Sequence, residues 1–164
     1  RRPPRATHER SSAASDVYER QCDRRNLMEI LQPMFGMIVL SGLLVIILLI
    51  SRISPIVKLW GNLQFAQHSE DLRPQLPRRL RLIPDNHNHL MEQPTLFYAT
   101  CAYIFMTGHS DSFHLLLAWS YVAIRIAHSG IQLTTNNVSY RAMSFGLSSA
   151  CLVVMIIREV ISLF

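Results

Sequence analysis

Between Met34 and Ile50 the chain runs for seventeen residues, MFGMIVLSGLLVIILLI, without a charged side chain. No other feature narrows the possible folds as much. A helix that crosses the hydrocarbon core of a bilayer needs about 20 predominantly apolar residues, with a range of about 17–25. The run meets that length, and it reaches Ile53 if Arg52 bends its head group back toward the interface. A cleaved secretion signal has a shorter apolar core followed by a small-residue cleavage site, and the run shows neither. The segment therefore reads as a transmembrane helix. Composition agrees, because only 16% of the residues are charged, against about 25% in soluble domains.

Three further apolar runs follow. One extends from near His89 to near Thr107, one from Phe113 to about Leu133, and one from Met143 to Phe164. The links Gly108–Ser112 and Thr134–Arg141 are short and polar. Links of that length force neighbouring helices to run antiparallel. The expected fold is all-α, an integral membrane four-helix bundle of up-down-up-down topology. No strand pattern, internal repeat or low-complexity tract competes with it.

Residues 1–27 differ in kind. They are polar and Arg-rich, and they lack the large apolar groups needed to bury a core. The expectation is a disordered N-terminal extension at 1–27 and a four-helix transmembrane domain at 28–164. Met28 precedes the first apolar run, and MEILQP reads as a natural start.

Of sixteen Lys and Arg residues, seven lie in the first 27 positions and six between the first two apolar runs (Arg52, Lys58, Arg73, Arg78, Arg79 and Arg81). Basic clusters that flank apolar segments follow from membrane topology. Phosphate binding would call for an accompanying nucleic-acid-binding motif, and none is present. The lipid bilayer is the expected partner, and nucleic acid is not. With Met28 as the start, the positive-inside rule puts the first connection in the cytoplasm and both termini outside. Within that connection, Ile56–Ala66 carries Trp60 and Phe65 and suits the interface. Prolines at 74, 77 and 84 keep the later part from forming one continuous helix. Cys22, Cys101 and Cys151 are scattered and show neither a disulfide framework nor zinc-ligand spacing.

The polar residues inside the apolar runs are the candidates for function. A charged side chain at a membrane helix centre costs about 2.5–3.5 kcal/mol on insertion scales, so Arg125 must face something other than lipid. Arg125, His128, Ser129 and Gln132 recur at i, i+3, i+4 and i+7, which places them on one helix face. Asp85, His89 and Glu92 follow a similar spacing upstream. Two readings are open. A buried Glu92–Arg125 ion pair would set helix register and nothing more. A polar pocket would use Arg125 with His89, His128, Gln132 and Arg141 to accept an anionic group. A metal site is not expected. His87 and His89 diverge by about 200° on a helix, and Arg125 would repel a cation. His128 and the adjacent Ser129 point about 100° apart, so they form no nucleophilic dyad.

Two blocks carry a family likeness. DNHNHLMEQPTLFYA at 85–99 resembles the second-helix motif of the MAPEG family (membrane-associated proteins in eicosanoid and glutathione metabolism), and AWSYVAIRIAHSGIQLTTNNVSYRAMSFGLS at 118–148 resembles its third helix and the loop into the fourth. The likeness spans roughly Met28 to Phe164 and points to the bacterial branch. It implies a four-helix membrane bundle that assembles as a homotrimer in the bacterial inner (plasma) membrane, with glutathione held between subunits. Characterised members include leukotriene C and prostaglandin E synthases and microsomal glutathione transferases. These activate the glutathione thiol with an arginine and take a second substrate from a lipid-facing cleft.

Under that resemblance, Glu92 matches the second-helix carboxylate that helps hold glutathione, and Arg125 matches the third-helix arginine. His128 and Ser129 match polar neighbours in the prostaglandin synthase branch, and Arg141 falls at the thiol-activating arginine. Asp85 stands where the family has arginine, His89 where it has asparagine, and Gln132 where it has tyrosine. A carboxylate in place of an arginine works against binding of an anionic tripeptide. One expected function is a MAPEG-type binding protein whose buried polar pocket takes an apolar or lipid-like ligand, with His89, Glu92, Arg125, His128, Ser129 and Gln132 lining the site. The alternative is a glutathione-dependent transferase or peroxidase acting on a hydrophobic substrate. There Arg141 would be catalytic, since a nearby cation lowers a thiol's pKa.

Overall fold

The computed structural model of the protein describes residues 28–60, 77, 82–88 and 93–164. The described chain is all-helical: α1 (Leu31–Trp60), α2 (residues 82–88), α3 (Pro94–Thr107), α4 (Ser112–Leu133) and α5 (Val138–Ser162), with no strand among the described residues. The expected N-terminal extension at 1–27 lies outside them.

Local chemistry explains the boundaries. Pro94 opens α3 at its first turn, where its fixed φ suits a helix and its missing N–H costs nothing. Gly108 closes α3 in the left-handed region, at φ 76°, which favours a residue without a Cβ. The backbone N–H groups of Gly108 and His109 both donate to the Ile104 carbonyl. Asp111 then caps α4, its Oδ1 accepting from the His114 N–H at 2.7 Å. At the next connection Asn136 adopts φ 49°, which asparagine tolerates better than most residues. Asn137 caps α5 by accepting from the Ser139 N–H at 3.0 Å.

These caps shift several expected limits. Because Asn137 starts α5, that helix begins at Val138 rather than Met143, and the link before it shrinks to residues 134–137. The helix expected from His89 begins, as α3, at Pro94, and residues 89–92 lie outside the described set. Asp85 sits on the separate short helix α2. At the other end, α1 continues past Ile53 to Trp60. The start of the expected interfacial stretch is therefore the last turn of α1, and 61–66 lie outside the described residues.

The helices pack as a layered cluster, with α4 and α5 the most extensive pair and α1 touching both α3 and α4. Along α4 and α5, His114 meets Glu159 and His128 meets Ser144. Rising numbers on one helix match falling numbers on the other, so the two run antiparallel. The core draws from all four long helices or the turn before α1: Ile30, Met37 and Leu44, then Phe97, Cys101 and Ile104, then Ala118, Tyr121 and Val122, and finally Leu152 and Met155. Among the described residues, α1 over Leu31–Ile53 and α5 over Val138–Ser162 are long and apolar enough to cross a membrane. Their outward residues, including Phe35, Leu43, Ile46 and Ile50 on α1 and Leu147, Val153, Ile157 and Ile161 on α5, are exposed. So large a bare apolar surface is foreign to soluble monomers and suits lipid.

Candidate functional site

One face of α4 is polar, and the structure buries it. Arg125 and Gln132 are 0% exposed, Ser129 3% and His128 4%. The spacing read from the sequence therefore describes a real interior face, turned chiefly against α5. Across from it, α5 presents Ser144 and Ser148, both buried, one turn apart. His128 Nδ1 lies 3.0 Å from Ser144 Oγ. The same hydroxyl also lies 2.9 Å from the Tyr140 carbonyl and 3.0 Å from that of Arg141, so His128 is tied to the first turns of α5.

Among the described residues, Arg125 is held by rings. Its guanidinium carbon lies 5.4 Å from the Tyr121 ring centroid and 5.5 Å from that of Phe145. Tyr121 stacks in turn on Phe97 of α3, with centroids 4.2 Å apart and planes 11° from parallel. The order Phe97, Tyr121, Arg125, Phe145 thus links α3, α4 and α5. Aromatic faces attract a cation electrostatically, but they supply no acceptor for its in-plane N–H groups. Nε, Nη1 and Nη2 of Arg125 have no hydrogen-bond partner among the described residues, and the same holds for Tyr121 Oη, Ser129 Oγ and both amide atoms of Gln132. From Tyr121 to Gln132, this file of unsatisfied groups extends about 16 Å along α4 at 1.5 Å per residue. Most buried polar atoms in folded proteins have partners, so such a concentration needs an explanation.

The remaining candidates are placed differently. Arg141 is half-buried at the start of α5, where Nη1 donates to Asn136 Oδ1 at 2.7 Å and Nε is buried with no hydrogen-bond partner. His89 and Glu92 lie outside the described residues, and with them the expected Glu92–Arg125 pair. Gln93, next to that pair's carboxylate, hydrogen-bonds Ser149 of α5. On α2, Asn86 is buried, and neither amide atom has a hydrogen-bond partner among the described residues.

Sequence reasoning missed Ser144, Ser148 and the aromatic ladder. The serines recur four residues apart in an apolar helix, a spacing that would have found them. The ladder had no such signal, because Phe97 and Phe145 look like ordinary core or lipid-facing residues until the helices are packed. A second polar cluster was also missed. Arg158 grips Asp111 with Nη1–Oδ1 3.1 Å and Nη2–Oδ2 2.6 Å, and lies over the Phe113 ring at 4.8 Å. The Arg158 hydrogen bond, helped by the His114 N–H, pulls the Asp111 carboxyl down to about 2.

A sequence profile of the MAPEG family matches residues 30–161, a span that holds every helix described above but for the last residue of α5. No curated protein and no solved structure matches the chain.

Proposed function

The chain belongs to the MAPEG family, and on that premise we propose that it is a multi-pass membrane protein whose buried polar pocket binds an apolar or lipid-like ligand carrying an anionic group. In this reading the four long helices form an up-down-up-down membrane bundle. The protein assembles as a homotrimer and resides in the bacterial inner membrane. The observation that carries the reading is Arg125. Its guanidinium is fully buried, and all three of its nitrogens lack a hydrogen-bond partner among the described residues. A buried charge without a counter-charge is costly. A ligand carboxylate or phosphate would satisfy the planar fork of donors two at a time, and Gln132 and Ser129 would add further polar contacts on the same face. The rest of the ligand would lie against Phe97, Tyr121 and Phe145.

A second reading, a glutathione-dependent transferase or peroxidase, draws on Arg141. Its Nε is buried with no hydrogen-bond partner, so a donor is available near the position where the family resemblance puts thiol activation. The fit is partial, because Asn136 already takes Nη1 and Asp85 places a carboxylate on α2. Bound glutathione would supply a nucleophilic thiol. Arg125 would meet one of its carboxylates, and Arg141 would stabilise the thiolate.

The test is ligand-induced thermal stabilisation in detergent with matched long-chain carboxylates and alcohols. The carboxylate should raise the unfolding temperature and the alcohol should not, and Arg125→Gln should erase the difference. A ligand at 100 times its Kd stabilises by about 2.7 kcal/mol, well above detection. Equal stabilisation by acid and alcohol would remove the anion from the proposal. Thiol conjugation by the wild type that is lost in Arg141→Ala would decide for the second reading.

A further inference from the structure

The turn between α3 and α4 meets the last turns of α5 through a cluster of titratable groups remote from the Arg125 face. His109 and Asp111 come from the turn, His114 from α4, and Arg158 and Glu159 from α5. His114 is 3% and Glu159 5% exposed. His114 Nδ1 lies 3.0 Å from Asp111 Oδ1 and 3.1 Å from the His109 carbonyl oxygen. Both are acceptors, so Nδ1 carries a hydrogen. The opposite ring nitrogen, Nε2, faces Glu159 Oε1 at 3.5 Å. If His114 were neutral and Glu159 ionised, a nitrogen lone pair would face a carboxylate lone pair inside a buried site. One more proton, on either atom, turns that repulsion into attraction. The other carboxylate oxygen, Oε2, lies 3.0 Å from His109 Nδ1, and Ser162 Oγ lies 3.4 Å from the same nitrogen.

Charge counting agrees. Asp111 and Arg158 neutralise each other in a bidentate pair. Glu159 then leaves one negative charge, which one proton cancels. Of the charged groups described on or just before α1, Glu29 and Arg52 make no ion pair with the cluster.

We propose that His114 and Glu159 share one proton and, with His109, form a proton-dependent clasp that holds the α3–α4 turn on the end of α5. With the proton bound, the turn is fixed; when it leaves, the turn opens. A clasp that needs this proton to hold opens as pH rises. The step is a plain proton release to solvent, through the partly exposed His109.

The experiment is a pH series from 5 to 9 on the full chain in detergent. It reads thermal unfolding together with hydrogen exchange at the amides of residues 108–114, corrected for intrinsic exchange. The wild type should lose both unfolding temperature and turn protection as pH rises. Opening should increase up to about tenfold per pH unit, the limit for one linked proton. In Glu159→Gln the side-chain amide donates to His114 Nε2 without needing a proton, so the pH dependence should flatten and the turn should stay protected at pH 9. His114→Gln provides the second variant and should flatten the same profile if Glu159→Gln does not fold. A flat wild-type profile, or a variant profile as steep as the wild type's, would overturn the clasp.

Discussion

Replacing Arg125 by leucine separates the two ways of reading a buried arginine. If Arg125 had a buried carboxylate partner, removing it would strand that acid and cost about 3–5 kcal/mol. Among the described residues, which do not include Glu92, the guanidinium lies between two rings, at 5.4 Å and 5.5 Å, and has no hydrogen-bond partner. Each cation–π contact is worth about 2 kcal/mol when desolvated, so about 4 kcal/mol is lost in Arg125→Leu. Against this, under the membrane reading proposed above, the variant removes a charge from the bilayer interior, where it costs about 2.5–3.5 kcal/mol at a helix centre. The two nearly cancel, and the expected change in stability is within about 1–2 kcal/mol. Binding of an anionic amphiphile should nevertheless disappear. Reversible unfolding in mixed micelles measures the first quantity, and thermal shift with a long-chain carboxylate measures the second. A loss of about 3 kcal/mol or more would refute the reasoning. The double variant Glu92→Leu/Arg125→Leu would then show whether Glu92 is the stranded partner, by recovering part of the loss.

Four further outcomes are expected. Asp111→Ala should cost about 1 kcal/mol, mostly the α4 cap, because a pair this exposed adds little; chemical unfolding measures it. The Asp111 carboxyl is held down at about 2, below its ordinary 3.8, so its contribution is fully present above about pH 4 and is lost as pH falls toward 2. Acid unfolding of the wild type should therefore show a loss in that window that Asp111→Asn lacks. Gly108→Ala places a Cβ at φ 76° and should cost about 1–2 kcal/mol, read as a fall in unfolding temperature. Glutathione should bind the wild type weakly, since one missing charge-assisted hydrogen bond is worth about 1.5–3 kcal/mol, or roughly ten- to a hundredfold in affinity. Asp85→Arg should bind it more tightly by calorimetry in detergent, and tight binding to the wild type would show that other groups supply the missing charge.

The helical class, a first helix long and apolar enough to cross a membrane, and the shared face of Arg125, His128, Ser129 and Gln132 were all legible in the sequence. Each is a matter of local periodicity. A side chain's angle around a helix follows from its number alone, and the penalty for charge in lipid then says which face must turn inward. The family likeness rested on the same continuous blocks. Helix limits were less legible, because they depend on caps. Asn137 and Pro94 each moved a boundary by about five residues, and neither stands out from the polar residues around it until its backbone is in place. What periodicity could not supply was the partner of each inward group. Phe145 lies 20 residues from Arg125, and Glu159 lies 45 from His114. Whether Arg125 meets an acid or a ring depends on how α4 rotates and slides against α5. That geometry is set by the packing of α4 against α5, a property of two surfaces together and of neither segment read alone.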